Sequence, residues 1–353
     1  MASVINIQNK KIGPHEPVFI IAEIGVNHNG DINVAKKLIE KAKESGADCV
    51  KFQTFKAENL VTKKAVKAKY QVLNDKQSKD KNQFEMLKKL ELSRESFEKI
   101  LKHCSDNKII FISTPYNYED VDFLLSYDVP AFKLSSMHAQ EPSFANYVAK
   151  KEKPIILSTG MTSLDQIKET VKAINLTGNK DLALLQCTTS YPSKISESNL
   201  KTIKTLEKTF NTIVGFSDHT LGYISAVTSI GLGAKIIEKH LTLDKSMKGP
   251  DHAASCDPNE FSIFVRMIRD AEKTLGSEIK EPTLHEKENM EFMLRSICAK
   301  KNIVKNTIIN EEMLTFKRPG DGIPPRQINS LIGKKVVRNI LADELINWED
   351  LEK

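Results

Sequence analysis

The chain has 353 residues, of which 40% are hydrophobic and 28% charged, with a formal net charge of +6. This balance excludes a disordered chain, and no apolar run approaches the ~18 residues that a membrane-spanning helix needs. The length exceeds one ordinary domain and suits a barrel of about 250 residues plus one small extra domain. The lysines are interleaved with Glu and Asp, so the positive balance reads as solvated helix faces with a weak pull on anionic substrates. No nucleic-acid motif is present. Met1 to Pro14 has no apolar signal-peptide core, which leads us to expect a cytoplasmic protein that does not engage membranes. Five scattered cysteines without a CxxC pair point to reduced, buried thiols rather than a disulfide framework or zinc finger.

In chain order, one unit repeats: a short apolar, β-branched run followed by an amphipathic helical pattern. The runs occupy 18–25, 49–55, 109–114, 131–136, 154–160, 182–188, 212–218 and 234–240. Near-continuous apolar runs are the pattern of parallel strands buried on both faces. Helical patterns fall at 31–45, 93–106, 118–126, 163–173, 199–209, 223–231 and 258–275, and Asp31, Ser93 and Ser163 are placed as N-caps. Eight such alternations predict an α/β fold, a (β/α)8 TIM barrel, over residues 1–275. Residues 56–92 are too long for a simple strand–helix loop and read either as a lid over the site or as a solvated excursion. Residues 276–293 read as a linker. Residues 294–353 carry short apolar segments and turns and predict a small β-rich domain.

In a barrel of this type the active site lies where the strands end. Nearly every run ends in chemically capable groups: Glu23, Asn27 and His28; Lys51 and Gln53; Thr114; Lys133, Ser135 and Ser136; Ser158; Thr188, Thr189 and Tyr191; Ser217, Asp218 and His219; Glu238 and His240. Their convergence on one mouth makes a site. His219 and His240 end adjacent strands, where two imidazoles can share a divalent ion with water and substrate completing its shell; without a cysteine, Mn or a similar ion suits them. Lys51 and Lys133 lie among apolar neighbours and must reach the mouth or pair with a carboxylate. With the Ser136, Ser158 and Ser217 hydroxyls they would cradle a phosphate and a carboxylate. A Schiff-base role for Lys133 and plain ion pairs with Glu23 or Glu238 are the alternatives.

The segments AEIGVNHNG, KFQTF, STPY, FKLSS, LSTGMTS, CTTSYP, GFSDHT, EKHLTLDKSMKGPDH and FKRPGDGIPP, in this order, closely resemble the sialic acid synthase family. The resemblance covers nearly the whole chain, and the tail resembles that family's antifreeze-like (SAF) domain. It implies condensation of phosphoenolpyruvate with N-acetylmannosamine or a related N-acetylated hexosamine to a nine-carbon 2-keto acid, with release of phosphate. It further implies His219 and His240 as ligands of Mn2+ or Mg2+, and phosphoenolpyruvate on Lys51, Lys133, Ser136, Ser158 and Ser217. The acceptor sugar would meet Gln53, Tyr191 and Asp251, and Glu23 would lie near the reacting centre. Arg318 would reach the acceptor's N-acetyl group from a partner subunit, in a domain-swapped homodimer.

Two positions depart from the family pattern. Met137 and His138 stand where a small residue and an acid are usual, and Thr189 where N-acetylneuraminate makers often have Asn. All three are expected to face the sugar and to favour an altered acceptor such as a 6-deoxy diacetamido sugar. The rival readings are a phosphoenolpyruvate-condensing synthase of another 3-deoxy-keto sugar acid, against which the KRPGDG tail speaks, and a non-catalytic sugar- or ice-binding protein, against which the furnished mouth speaks.

Overall fold

The eight apolar runs must bury both faces. In the computed structural model, which describes residues 4–74 and 79–352, they do so as the strands of one closed parallel barrel. A hairpin, β1 (Ile5–Ile7) and β2 (Lys10–Ile12), precedes it. The barrel strands are β3 (Phe19–Gly25), β4 (Cys49–Thr54), β5 (Ile110–Pro115), β6 (Phe132–Leu134), β7 (Ile155–Ser158), β8 (Leu182–Cys187), β9 (Ile213–Asp218) and β10 (Ile236–His240). Strand β10 pairs with both β9 and β3 and closes the ring. Each of the eight expected runs supplies one strand.

The helices are α1 (Ile32–Glu44), α2 (Ala57–Leu60), α3 (Lys69–Asn74), α4 (Gln83–Leu90), α5 (Arg94–Asp106), α6 (Tyr118–Ser126), α7 (Pro142–Ala149), α8 (Leu164–Asn175), α9 (Thr202–Phe210), α10 (Ile224–Gly231) and α11 (Pro258–Leu275). Asp31, Ser93 and Ser163 do cap α1, α5 and α8, each side chain accepting from a backbone N–H of the first turn. Helix α7 is absent from the expected set. It has only eight residues, and its burial of Phe144, Ala145, Val148 and Ala149 is too short a pattern to read as periodic.

Strand alternation sorts the side chains. On β3, Ile20, Ala22 and Ile24 belong to the cluster packed under the helices, whereas Phe19 and Ile21 join the cluster that fills the barrel. The inward positions of the other strands continue that filling with Cys49, Ile110, Ile112, Ala131, Ile156, Ala183, Leu185, Ile213 and Ile236. Ile5, Ile7 and Ile12 of the hairpin complete the same cluster, so the barrel is a packed core. Moving up each strand by two residues, the same phase turns polar: Ile21 to Glu23, Cys49 to Lys51, Ile156 to Ser158, Ile236 to Glu238. The site is therefore the last layer of the core itself.

The same alternation turns Lys239 and Asp218 outward, beneath the helices. Their ion pair, 2.8 Å long, is almost fully buried, and Lys239 Nζ also donates to the carbonyls of Thr220 and Gly222. Asp218, expected at the mouth, thus serves the helix layer instead.

The chain divides into two compact units, Met1–Gly276 and Ser277–Lys353. In the second, α12 (Leu284–Met293) opens with a capping box between Thr283 and Glu286, so the stretch read as a linker is partly helical. Strands β11 (Ser296–Ala299) and β12 (Leu314–Lys317) pair antiparallel over a core that includes Ile297, Leu331, Val336, Ile340 and Ile346. The segments around 331–340 and 345–352 contribute single bridges such as Ile303↔Ile340 and Val336↔Leu351 rather than strands. Among the described residues no helix is long and apolar enough to cross a membrane.

Gly215 allows β9 and β10 to meet inside the barrel. A Cβ there would lie 2.3 Å from the Ile236 carbonyl oxygen and 2.6 Å from Leu185 Cδ2. Because backbone is in the way, we predict that Gly215→Ala lowers unfolding free energy by ~2 kcal/mol, as overpacking does. Chemical denaturation checks this, and a loss under about 0.5 kcal/mol, the scale of a neutral surface change, would show that the strands part freely there.

Candidate active site

The register of adjacent strands brings the charged groups together. Glu23 on β3 stands opposite Lys51 on β4, and their side chains form an ion pair of 2.7 Å. Glu238 on β10 stands opposite Ser217 on β9 and accepts that hydroxyl's hydrogen bond at 2.9 Å. Its other oxygen, Oε2, has no hydrogen bond and lies 3.9 Å from both Lys51 Nζ and Lys133 Nζ. Lys133 donates to Ser158 Oγ at 2.6 Å and to the Leu134 carbonyl at 3.0 Å, while Lys51 also reaches Thr114 Oγ1 at 3.3 Å. Two carboxylates and two ammoniums thus share one buried pocket.

Burial pushes the Glu23 carboxyl up to about 7, against the opposing pull of Lys51. For Lys51, burial works against the charge, but Glu23 and Glu238 outweigh it and hold the ammonium. Burial would raise the Glu238 carboxyl, yet Lys133 and Lys51 bring it below the usual range. Burial lowers Lys133. The charges are kept where anionic substrate oxygens could replace the carboxylates as partners.

The cavity above this cluster has a volume of about 400 Å3. Glu23, Lys51, Gln53, Lys133, Ser136, Ser158 and Ser217 form its floor. Gln53 donates to Glu23 Oε1 at 3.1 Å and accepts from the Tyr116 hydroxyl at 3.2 Å. Ser136 Oγ accepts from the Gly160 N–H, and a Cβ on Gly160 would lie 2.9 Å from that oxygen, so the close approach needs glycine. Tyr191, His219, His240 and Asp251 form one side wall. Burial raises Asp251 to about 6, which still leaves it mainly a carboxylate, a hydrogen-bond acceptor, at neutral pH.

His219 and His240 lie with ring centroids 5.4 Å apart. His219 Nδ1 is 2.8 Å from the Thr188 carbonyl and can only donate to it, which fixes the tautomer and leaves the Nε2 lone pair free. His240 Nδ1 is buried without a partner, and burial holds this imidazole neutral. Burial works against a charge on His219, but Cys187, Thr188 and Glu238 outweigh it and favour the charged form; each ring nonetheless keeps one nitrogen that a divalent ion could take in place of a proton. Among the described residues no third His, Cys, Asp or Glu completes a metal-binding group, so water and substrate oxygens would fill the remaining positions.

Residues 56–92 roof the cavity. Ala57, Met86, Leu87 and Leu90 bury themselves with Val26 and Phe55, and Leu60, Val61, Tyr70 and Gln71 line the space below. The segment is therefore not a solvated excursion; its residues 75–78 lie outside the described residues. Tyr70, Gln71 and Tyr116 were not anticipated as site residues. Tyr70 and Gln71 are surrounded in sequence by lysines, and nothing local marks them as buried.

Two anticipated residues, His138 and Thr189, lie off the cavity wall. His138 is fully buried behind the wall, against Phe144 and Tyr116, with Nδ1 accepting from the Ser135 N–H; only its neighbour Met137 lines the cavity. Here a 3-10 turn that follows β6, from Ser136 to Gln140, rotates alternate side chains away from the mouth. The Thr189 hydroxyl is buried without a partner beside Gly160 and is not on the wall. Arg318 belongs to the second unit, where it is exposed and its Nε donates to the Met293 carbonyl of the same unit. Of the other strand-end groups, Asn27 bonds the Leu241 carbonyl and Ser255, and His28 stacks on Phe52 outside the barrel.

The model of the NeuB family matches residues 38–280, and that of the SAF domain matches residues 295–352. The chain belongs to the NeuB family. It is 43% identical to the N,N'-diacetyllegionaminic acid synthase of Legionella pneumophila over 98% of this chain and 99% of that protein. It is also 43% identical to the enzyme of the same name from Campylobacter jejuni, over 93% of this chain and 98% of that one. A crystal structure of N-acetylneuraminic acid synthetase from Leptospira borgpetersenii, 30% identical, superposes with a TM-score of 0.73 over 82% of this chain and 96% of that chain. The NeuB match spans the barrel strands from β4 onward, which carry both lysines and both histidines.

Among the described residues, Glu238 is the one negative group within 4 Å of both lysines. Glu238→Gln keeps the size and the Ser217 contact but removes that charge. We predict a loss of ~3 kcal/mol at neutral pH, the cost of a buried charge stripped of its partner. Thermal or denaturant unfolding checks it; a loss near zero would mean that Lys133 is neutral in the folded protein.

Proposed function

We propose that this chain condenses phosphoenolpyruvate with an open-chain N-acetylated hexosamine, releasing phosphate and yielding a nine-carbon 2-keto acid of the sialic acid type. The observation that carries this reading is a cavity with two chemically different halves. One is a cationic floor of Lys51 and Lys133 with the hydroxyls of Ser136, Ser158 and Ser217, suited to the phosphate and carboxylate of phosphoenolpyruvate. The other is a polar wall of Tyr191, Asp251 and Gln53 beside two imidazoles, suited to a polyol with an aldehyde end.

On this reading His219 and His240 hold Mn2+ or Mg2+, which would supply Lewis acidity at the aldehyde oxygen. The floor presents the enol carbon of phosphoenolpyruvate to that aldehyde, and a carbon–carbon bond forms while the aldehyde oxygen takes the electron pair and a proton. Positive charge develops at the phosphate-bearing carbon. Glu23, held beside it by Lys51 and Gln53, stabilises that charge as carboxylate and can accept a proton from the water that adds there. Phosphate then leaves with the carbon–oxygen bond broken.

The two relatives named diacetyllegionaminic acid synthases, together with Met137 on the cavity wall, support a 6-deoxy diacetamido acceptor over N-acetylmannosamine. Reduced, buried cysteines suit a cytoplasmic location. Arg318 would complete the acceptor site from the partner subunit of a domain-swapped homodimer.

Incubation with phosphoenolpyruvate and a hexosamine panel, read by phosphate release and product mass, tests the reaction. We expect the largest turnover with the diacetamido 6-deoxy sugar and none with either His219→Ala or His240→Ala. Near-normal turnover in both variants would remove the metal assignment, and a clear preference for N-acetylmannosamine would remove the acceptor assignment. Subunit exchange tests the swap. Mixing inactive Arg318→Ala and His219→Ala proteins should restore part of the activity, since some mixed dimers contain one intact site; no recovery after proven exchange would place Arg318 and His219 in the same subunit's site.

A further inference from the structure

The roof carries an asparagine whose amide hydrogens are both spent on backbone. Asn74, the last residue of α3, donates from Nδ2 to the Tyr191 carbonyl at 3.1 Å and to the Pro250 carbonyl at 2.9 Å. A carboxamide nitrogen has two N–H donors, so one side chain here ties three chain segments: the roof, the loop after β8 and the loop after β10. Neither carbonyl takes another hydrogen bond among the described residues. What they hold is specific. One belongs to Tyr191 itself, and the other to the residue just before Asp251.

Four residues earlier on the same short helix, Tyr70 packs its ring on that of Tyr191 at 4.8 Å. Positions i and i+4 share a helix face, so α3 holds Tyr191 by its ring and by its carbonyl together. Tyr191 in turn stacks on His219 at 4.1 Å. Asn74 itself is not on the cavity wall. On the floor, Lys51, Lys133 and the serines belong to the barrel strands or the turn that follows β6, and owe nothing to this contact.

We propose that Asn74 is a positioning residue for the acceptor half of the cavity, setting the spacing between Tyr191 and Asp251 through their loops while leaving the phosphoenolpyruvate half untouched. The inference rests on the two-substrate reading above. Its test is the split between the two Michaelis constants in the full-length protein. Asn74→Ala and Asn74→Asp should raise the KM for the acceptor roughly tenfold, the scale of one to two lost hydrogen bonds, and keep the KM for phosphoenolpyruvate within about twofold.

Asn82→Ala is the control. Asn82 caps α4 within the same insertion and bonds the Lys63 carbonyl, so its loss weakens the roof without touching the tie. It should lower thermal stability and produce no acceptor-specific change. Amide hydrogen exchange at 188–193 and 247–252 gives a second readout that needs no turnover. Exchange there should quicken in both Asn74 variants and stay as in the parent in Asn82→Ala. An unchanged acceptor KM in a folded Asn74 variant, or equal rises in both constants, would overturn the proposal. If the parent protein shows no turnover on the panel, the two-substrate reading falls, and unchanged exchange in the two loops would then overturn the tie as well. Should Asn74→Asp fail to fold, Asn74→Ala carries the same comparison.

Discussion

Burying charge is costly, and this barrel buries two carboxylates and two ammoniums at its open end. The arrangement survives because no member is left alone. Glu23 faces Lys51 across one strand pair, Lys133 is tied to Ser158, and Glu238 sits between the two lysines with Ser217 on its other oxygen. Most of the surrounding design serves this cluster. The apolar layers beneath it and the roof above exclude water, which strengthens every interaction inside. The same exclusion makes the cluster incomplete. Glu238 Oε2 has ammoniums at 3.9 Å but no hydrogen bond, so phosphate and carboxylate oxygens arriving there would meet donors that are already oriented. Preorganised donors of this kind are the main electrostatic resource of an enzyme site.

The second half of the cavity is built differently. The floor residues stand on strands, or on the turn that follows β6, fixed by the barrel ladder. Tyr191 and Asp251 sit on loops, and loops need support to be exact in position. That support comes from outside the barrel, from the insertion between β4 and α5, which packs its apolar residues on Val26 and Phe55 and reaches over to both loops. One half of the cavity is thus held by the barrel ladder and the other by a strap from outside it, so the wall could be reshaped without disturbing the floor. The Tyr70–Tyr191–His219 stack joins the two halves at the imidazole pair.

Much of this was legible because parallel strands carry an unambiguous signal. Eight apolar runs ending in polar groups placed the barrel, the mouth and the floor of the cavity, since alternation along a strand fixes which side chains point inward. The readings that failed lie where alternation stops. His138 and Thr189 follow strand ends, and there the backbone direction depends on the local turn; the 3-10 turn after β6 sends Met137 to the cavity and His138 behind it. Asp218 ends a strand on the outward phase and pairs with Lys239. Helix α7 was too short to show a period, and the capping box at Thr283 was present in sequence but masked by the Gly- and Pro-containing context around it.

The sequence by itself determined the barrel, the small β-rich tail, the paired histidines and the cationic floor. Each of these follows from local periodicity and from the rule that buried charge needs a partner. Only the tertiary structure decided that Glu238 stands between both lysines, that Tyr116 holds Gln53, and that the lysine-rich insertion roofs the cavity. Those contacts join residues that are tens to nearly two hundred positions apart, through side chains with several rotamers, and no local pattern encodes such a meeting. Packing chooses it.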